Sequence, residues 1–65
     1  MESRPLKSFN PHLYPKRVVV KGNRFEFFGF FLSETVDTLV AMGCDGGQYT
    51  EYVFDKRDVS CEVLA

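Results

Sequence analysis

The alternation of apolar and polar residues predicts a series of short β-strands from about residue 16 to the end of the chain. Val18, Val19 and Val20 are strong strand formers, which predicts a first strand over 16–21. The dipeptide Gly22-Asn23 favours a primed hairpin turn, because both residues tolerate positive φ. A two-residue turn at this point would place Val20 opposite Phe25 in a second strand over 24–32.

The second predicted strand is rich in phenylalanine, with five of the seven phenylalanines of the chain. Its alternation fails after Phe27, and a glycine inside a strand often marks a bulge. We therefore expect a bulge at Phe28-Gly29. This bulge would turn Phe28 and Phe31 outward and leave an inward set of Phe25, Phe27, Phe30 and Leu32.

The segment from Ser33 to Gly43 has two interpretations. Ser33 is a reasonable N-cap and its apolar spacing suits a helix over 33–42, which would make the fold α+β. Its β-branched residues favour instead a turn at 34–37 and a strand over 38–43, which is the preferred prediction. An Asp-Gly-Gly turn within 44–48 then leads to strands over 49–54 and 59–64, separated by a short polar turn.

Five short strands, a glycine-containing second strand and these turns resemble an SH3-like barrel over residues 16–64. The resemblance implies a mainly β, five-stranded barrel in a single small domain over 16–65. Unlike peptide-binding SH3 domains, this chain has no Trp. Residues 1–15 are predicted to form an extended N-terminal arm, because three prolines interrupt them. In length the chain also resembles small proteins of phages and mobile elements.

Charge is distributed unevenly along a chain whose net charge is only −1. Residues 1–24 carry six basic groups and one acid, a sum of +5, whereas residues 25–65 carry two basic groups and eight acids, a sum of −6. Cys44 and Cys61 lack the spacing of a metal or redox motif and are expected to stay reduced and packed. No leader-like or membrane-spanning apolar run is present, so a cytoplasmic location is expected.

The sequence predicts no enzymatic chemistry, cofactor or metal site. His12 is the sole histidine, and it has no sequence neighbour that would make it a ligand or a base. The glycines around Asp45 fit a hairpin loop better than a phosphate-binding loop. The acids of the second half are scattered, which gives no support for a catalytic carboxylate pair.

Protein interaction is therefore the first function predicted, in the form of a small regulator or inhibitor of a larger protein. Exposed aromatic residues commonly mark partner contacts, and the predicted set is Phe28, Phe31, Tyr49 and Tyr52. In one alternative the arm covers these rings through Phe9, Leu13 or Tyr14. In another, the same face forms a homodimer.

Single-stranded nucleic-acid binding is the second function predicted. Basic residues beside aromatic ones are typical of such sites, since phosphates pair with the charges and bases stack on the rings. The candidate residues flank the first hairpin and are Lys16, Arg17, Lys21 and Arg24.

Overall fold

The fold is mainly β: a single antiparallel sheet of six strands accounts for all the regular structure that is described. A computed structural model describes residues 2–64. The strands are β1 (Glu2–Pro5), β2 (Arg17–Lys21), β3 (Glu26–Glu34), β4 (Thr38–Asp45), β5 (Gln48–Asp55) and β6 (Ser60–Leu64). They lie in the order β1-β5-β4-β3-β2-β6, so β1 and β6 are the two edges of a sheet that does not close. The prediction of five strands in a closed barrel is therefore wrong in both count and closure.

The sixth strand, β1, lies in the N-terminal arm, which the sequence predicted to be extended but to which it assigned no strand. Its four residues are all exposed, and they pair with β5 in a register that sets Arg4 opposite Glu51. The Arg4 guanidinium donates to the Glu51 carboxylate at 3.1 Å. Pro5 is compatible with this strand because an edge position requires fewer backbone donors than a central one.

The β4–β5 hairpin has the turn that the sequence predicted. Asp45 pairs with Gln48, and the two residues between them, Gly46 and Gly47, have φ of 61° and 83°. Positive φ at both central positions is the geometry of a type I′ turn, which glycine adopts without steric cost. The preferred strand over 38–43 is likewise confirmed, since β4 occupies that segment and no helix forms among the described residues.

The first hairpin differs from its prediction. Lys21 pairs with Glu26, so four residues form the loop, and Gly22 has no positive φ. The Gly22 amide donates to the Phe25 carbonyl at 3.0 Å, and the Phe25 ring covers Gly22. Val20 therefore faces Phe27 instead of Phe25. The register of the hairpin is shifted by two residues, so each side chain of β2 stays on its predicted face but lies opposite a different residue of β3.

The bulge lies at Leu32 and not at Phe28-Gly29. Phe31 pairs with Ala41 and Ser33 with Val40, which leaves Leu32 as the extra residue. Up to that point β3 is regular, so Phe27, Gly29 and Phe31 share one face with Val18 and Val20. The predicted orientations of Phe30 and Phe31 are therefore wrong, because Phe30 lies on the opposite face.

We call the two sides of the sheet the core face and the arm face. The core face holds the buried cluster Val18, Val20, Leu39, Ala41 and Phe54. These residues come from β2, β4 and β5, so the sheet must curl for them to meet. Phe27 packs at the centre of the curl, 5.1 Å from the Tyr52 ring and 5.2 Å from the Phe54 ring.

Candidate functional site: an aromatic cleft beneath the arm

The arm crosses the face of the sheet opposite the core and places an aromatic ring on it. The Leu6 amide donates to the Tyr49 carbonyl at 2.9 Å, which fixes the chain at the β5 side. At the other end, the Lys16 carbonyl accepts from the Phe31 amide at 2.9 Å. The segment between these two hydrogen bonds must therefore pass from β5 to β3 over the arm face.

Phe9 is the main contact of this segment with the sheet. Its ring lies 5.1 Å from Phe30 and 5.7 Å from Tyr49, and it stacks on Tyr14 at 5.8 Å. Aromatic pairs at such separations stabilise beyond the area they bury. Met42 lies in the same region and is 2% exposed, although it is not part of the core cluster.

A cleft of about 380 Å³ opens between the arm and the sheet, and we call it the arm cleft. Phe9 and Pro11 form its arm side, and the sheet side is formed by Phe28, Gly29, Phe30, Met42, Gly43, Cys44 and Tyr49. Phe28 is 60% exposed and Tyr49 40% exposed, so two rings remain accessible at the cleft. Most of the lining is apolar, which suits an apolar side chain better than a charged group.

The four predicted partner-binding residues separate into two pairs on opposite faces. Phe28 and Tyr49 both line the arm cleft. Phe31 and Tyr52 instead pack against the core cluster, so the prediction that Phe31 points outward is wrong. Replacing Phe31 is therefore expected to destabilise the fold, contrary to the expectation for an outward ring.

Phe30 and Met42 could not be predicted from the sequence as residues of this cleft, because their exposure depends on where the arm runs. Phe9 was noted only as one of three residues able to cover exposed rings. The structure shows that Phe9 covers Phe30 and leaves Phe28 largely uncovered. The feature of the sequence that could have indicated this contact was Phe9 itself, an isolated phenylalanine among polar residues and prolines.

The basic residues of the nucleic-acid prediction are only partly brought together. Arg17 and Lys21 point to the arm face, where the Arg17 guanidinium lies 5.4 Å from the Phe30 ring centroid. Lys16 precedes β2, and Arg24 lies in the loop that follows it. Lys21 is paired with Glu26 at 3.8 Å. Acids outnumber bases among the strand positions of the arm face, with Glu2, Glu26, Glu51, Asp55 and Glu62 against Arg4, Arg17 and Lys21.

The two cysteines are both free thiols and lie on opposite faces. Cys61 packs against the core cluster, and burial raises the pKa of its thiol. Cys44 is exposed at the arm cleft, so the prediction that both cysteines are packed is wrong for Cys44.

Metal-binding geometry is not found among residues 2–64, where no three His, Cys, Asp or Glu side chains come together as ligands. The same stretch of the chain has no helix of the length and apolarity needed to cross a bilayer.

Comparison with known proteins identifies no relative: the chain matches no protein-family model, no curated protein and no solved structure.

Proposed function

We propose that the protein is a non-enzymatic interaction module, a small regulator or inhibitor that binds an apolar segment of a larger protein at the arm cleft. The observation that carries this proposal is the exposure of Phe28 beside Tyr49 in a cleft with an apolar lining. A chain of 65 residues has few aromatic rings to spare from its core. Rings that remain exposed in a concave site are typical anchors of protein interfaces.

The chemistry of the bound segment follows from how the arm itself lies on the sheet. Phe9 demonstrates that this surface accepts an aromatic ring tilted against Phe30 and Tyr49. The remaining space lies beside Phe28, which has no comparable ring stacked on it among the described residues. A partner that presents an aromatic or large aliphatic side chain in an extended segment fits this space.

The finer part of the fold prediction that we still propose is an SH3-like order of the five strands β2 to β6, in an open sheet to which β1 is added. It is supported by the return of the last strand, β6, to pair with β2, the first strand after the arm. Assignment to a phage or mobile element, a cytoplasmic location and homodimer formation stay predictions from the sequence.

Loss of binding on changing Phe28 to serine is the central test. The wild-type protein, Phe28→Ser and Val36→Ser are each used to capture partners from the source cells, and the captured protein is then titrated. Val36 is 94% exposed in the turn before β4, outside the cleft lining, so Val36→Ser removes exposed apolar surface elsewhere. We expect Phe28→Ser to weaken binding by about 2 kcal/mol or more, roughly thirtyfold, and Val36→Ser to bind as wild type. Equal binding by all three proteins contradicts the proposal.

Nucleic-acid binding is the alternative function, and the position of Arg17 beside Phe30 is the observation that favours it. The surplus of acids on the same face opposes it, because phosphates would meet carboxylates there. A labelled single-stranded oligonucleotide distinguishes the two functions. Binding that falls steeply with added salt and is lost in Arg17→Ala supports the alternative, whereas an apolar protein interface is far less sensitive to salt.

A further inference from the structure

The two edges of the sheet differ in how far they are protected against pairing with another strand. Of the four residues of β1, Glu2 and Arg4 are charged and Pro5 is a proline. Charges and proline are the usual features that block edge pairing. β6 has no proline, one charged residue, Glu62, and three apolar side chains in five positions.

The outer side of β6 has no protein partner in the described part of the chain. β6 pairs with β2 along its whole length, from Ser60 opposite Lys21 to Leu64 opposite Arg17, without a bulge. Within residues 2–64, none of its residues takes part in a backbone hydrogen bond to a turn or loop. The N–H and C=O groups of every second residue of β6 are therefore directed away from the sheet, where a further strand would form hydrogen bonds with them.

We propose that β6 is a strand-addition site, at which an extended segment of a partner protein pairs antiparallel to Ser60–Leu64. This site lies at the sheet edge and is independent of the arm cleft and of the function proposed for it. Pairing at a sheet edge obtains affinity from backbone hydrogen bonds and specificity from alternate side chains.

The side chains of β6 specify which segment fits. Cys61 and Val63 point to the core face, where Val63 is 39% exposed, so the added strand needs apolar residues on that side. Glu62 points to the arm face, so a basic residue opposite it is favoured. The matching segment therefore has apolar residues on the core-face side and a basic residue opposite Glu62, which lies between Ser60 and Leu64 on the arm-face side.

A second copy of the chain fits this edge poorly. Self-pairing of β6 centred on Glu62 places two carboxylates opposite each other, which destabilises a strand pair. Pairing of β6 with β1 of another copy brings in Pro5, which has no N–H to donate. A different protein is therefore the occupant that the edge favours.

The test uses a short capped peptide in which valine and lysine alternate, added to the isotope-labelled full chain and followed by amide NMR. We expect shifts confined to β6 and its neighbour β2. A peptide with glutamate in place of lysine is expected to bind roughly fivefold more weakly, because its charges oppose Glu62. An N-methylated peptide is expected not to bind, because it lacks the backbone donors.

Matched variants locate the site on the protein. Val63→Lys is expected to abolish binding, whereas Ser3→Lys, which adds the same charge to the other edge, is expected to retain it. The N-methylated peptide keeps the test decisive even if Val63→Lys fails to fold. Equal binding of the methylated peptide, shifts in β1 or the arm cleft instead of β6, or concentration-dependent self-association through β6 each overturn the proposal.

Discussion

The core face and the arm face of one sheet are buried by different means. On the core face, the curl of the sheet brings β2, β4 and β5 together and excludes water from side chains such as Val18 and Phe54. On the arm face, Met42 is buried beneath the N-terminal arm, which crosses the sheet. The arm is held in place by the pairing of the short edge strand β1 with β5 and by the contacts of Phe9. The core face therefore supports the fold, whereas the arm face keeps apolar surface available beside the arm.

Phe54→Ala is expected to have the largest effect of any change that tests this contrast. Phe54 is 2% exposed and contacts the rings of Phe25, Phe27 and Tyr52, so its loss leaves a cavity at the centre of the curl. We expect a loss of about 3–5 kcal/mol, which is enough to unfold many domains of this size. Urea unfolding followed by circular dichroism measures it. A loss no greater than that of an exposed control, Val36→Ala, would show that the curled face is not the core.

Gly29→Val is expected to have the next largest effect. A Cβ at this position would meet the Met42 carbonyl oxygen and the Phe27 ring, whose Cζ is 2.7 Å away. Backbone atoms of a central strand cannot move without disturbing the sheet, so we expect a cost of about 1–3 kcal/mol. Denaturant unfolding against Gly47→Ala separates this crowding from a conformational cost, because Gly47 has positive φ and no atom near its added Cβ. A neutral Gly29→Val would contradict the close approach.

Phe54 and Gly29 lie in strands whose positions could be predicted from the sequence, although the contacts between those strands could not. The strands from β2 to β6 were predictable, because alternation and turn signals are local properties of the chain. Gly29 was recognised as special, but its reason is the approach of Phe27 and Met42, and the bulge itself lies three residues later. A bulge position depends on both neighbouring strands, and no local pattern records that.

β1 and the arm cleft were less predictable for the same reason. Glu2–Pro5 has low strand propensity and becomes a strand because β5 offers an edge to pair with. The exposure of Phe28 was predicted, yet its neighbours in the cleft come from the path of the arm across the sheet. The outward orientation predicted for Phe31 was wrong because the bulge was expected at the wrong residue.

Phe9→Ala is expected to act on the arm face with a smaller loss of stability. Phe9 is only partly buried, so its removal should cost about half of what Phe54→Ala costs. It should also uncover Phe30 and Met42, which enlarges the arm cleft. Binding of a fluorescent apolar dye is expected to increase relative to Leu13→Ala, which truncates an exposed arm residue. Unchanged dye binding would mean that Phe9 does not cover the sheet.

Asp55→Asn is expected to have the smallest effect, and one that depends on pH. Hydrogen bonds from the Arg57 side chain and amide lower the pKa of the Asp55 carboxyl from 3.8 to about 2. A lowered pKa in the folded state means that the carboxylate contributes stability above pH 3.8, and that this contribution is lost as the pH falls towards about 2. The pair lies in an exposed turn, so the contribution is small. Tm values of wild type and Asp55→Asn should therefore differ slightly at neutral pH and converge near pH 2. A difference that persists unchanged into acid would show that the turn gains nothing from the Asp55 charge.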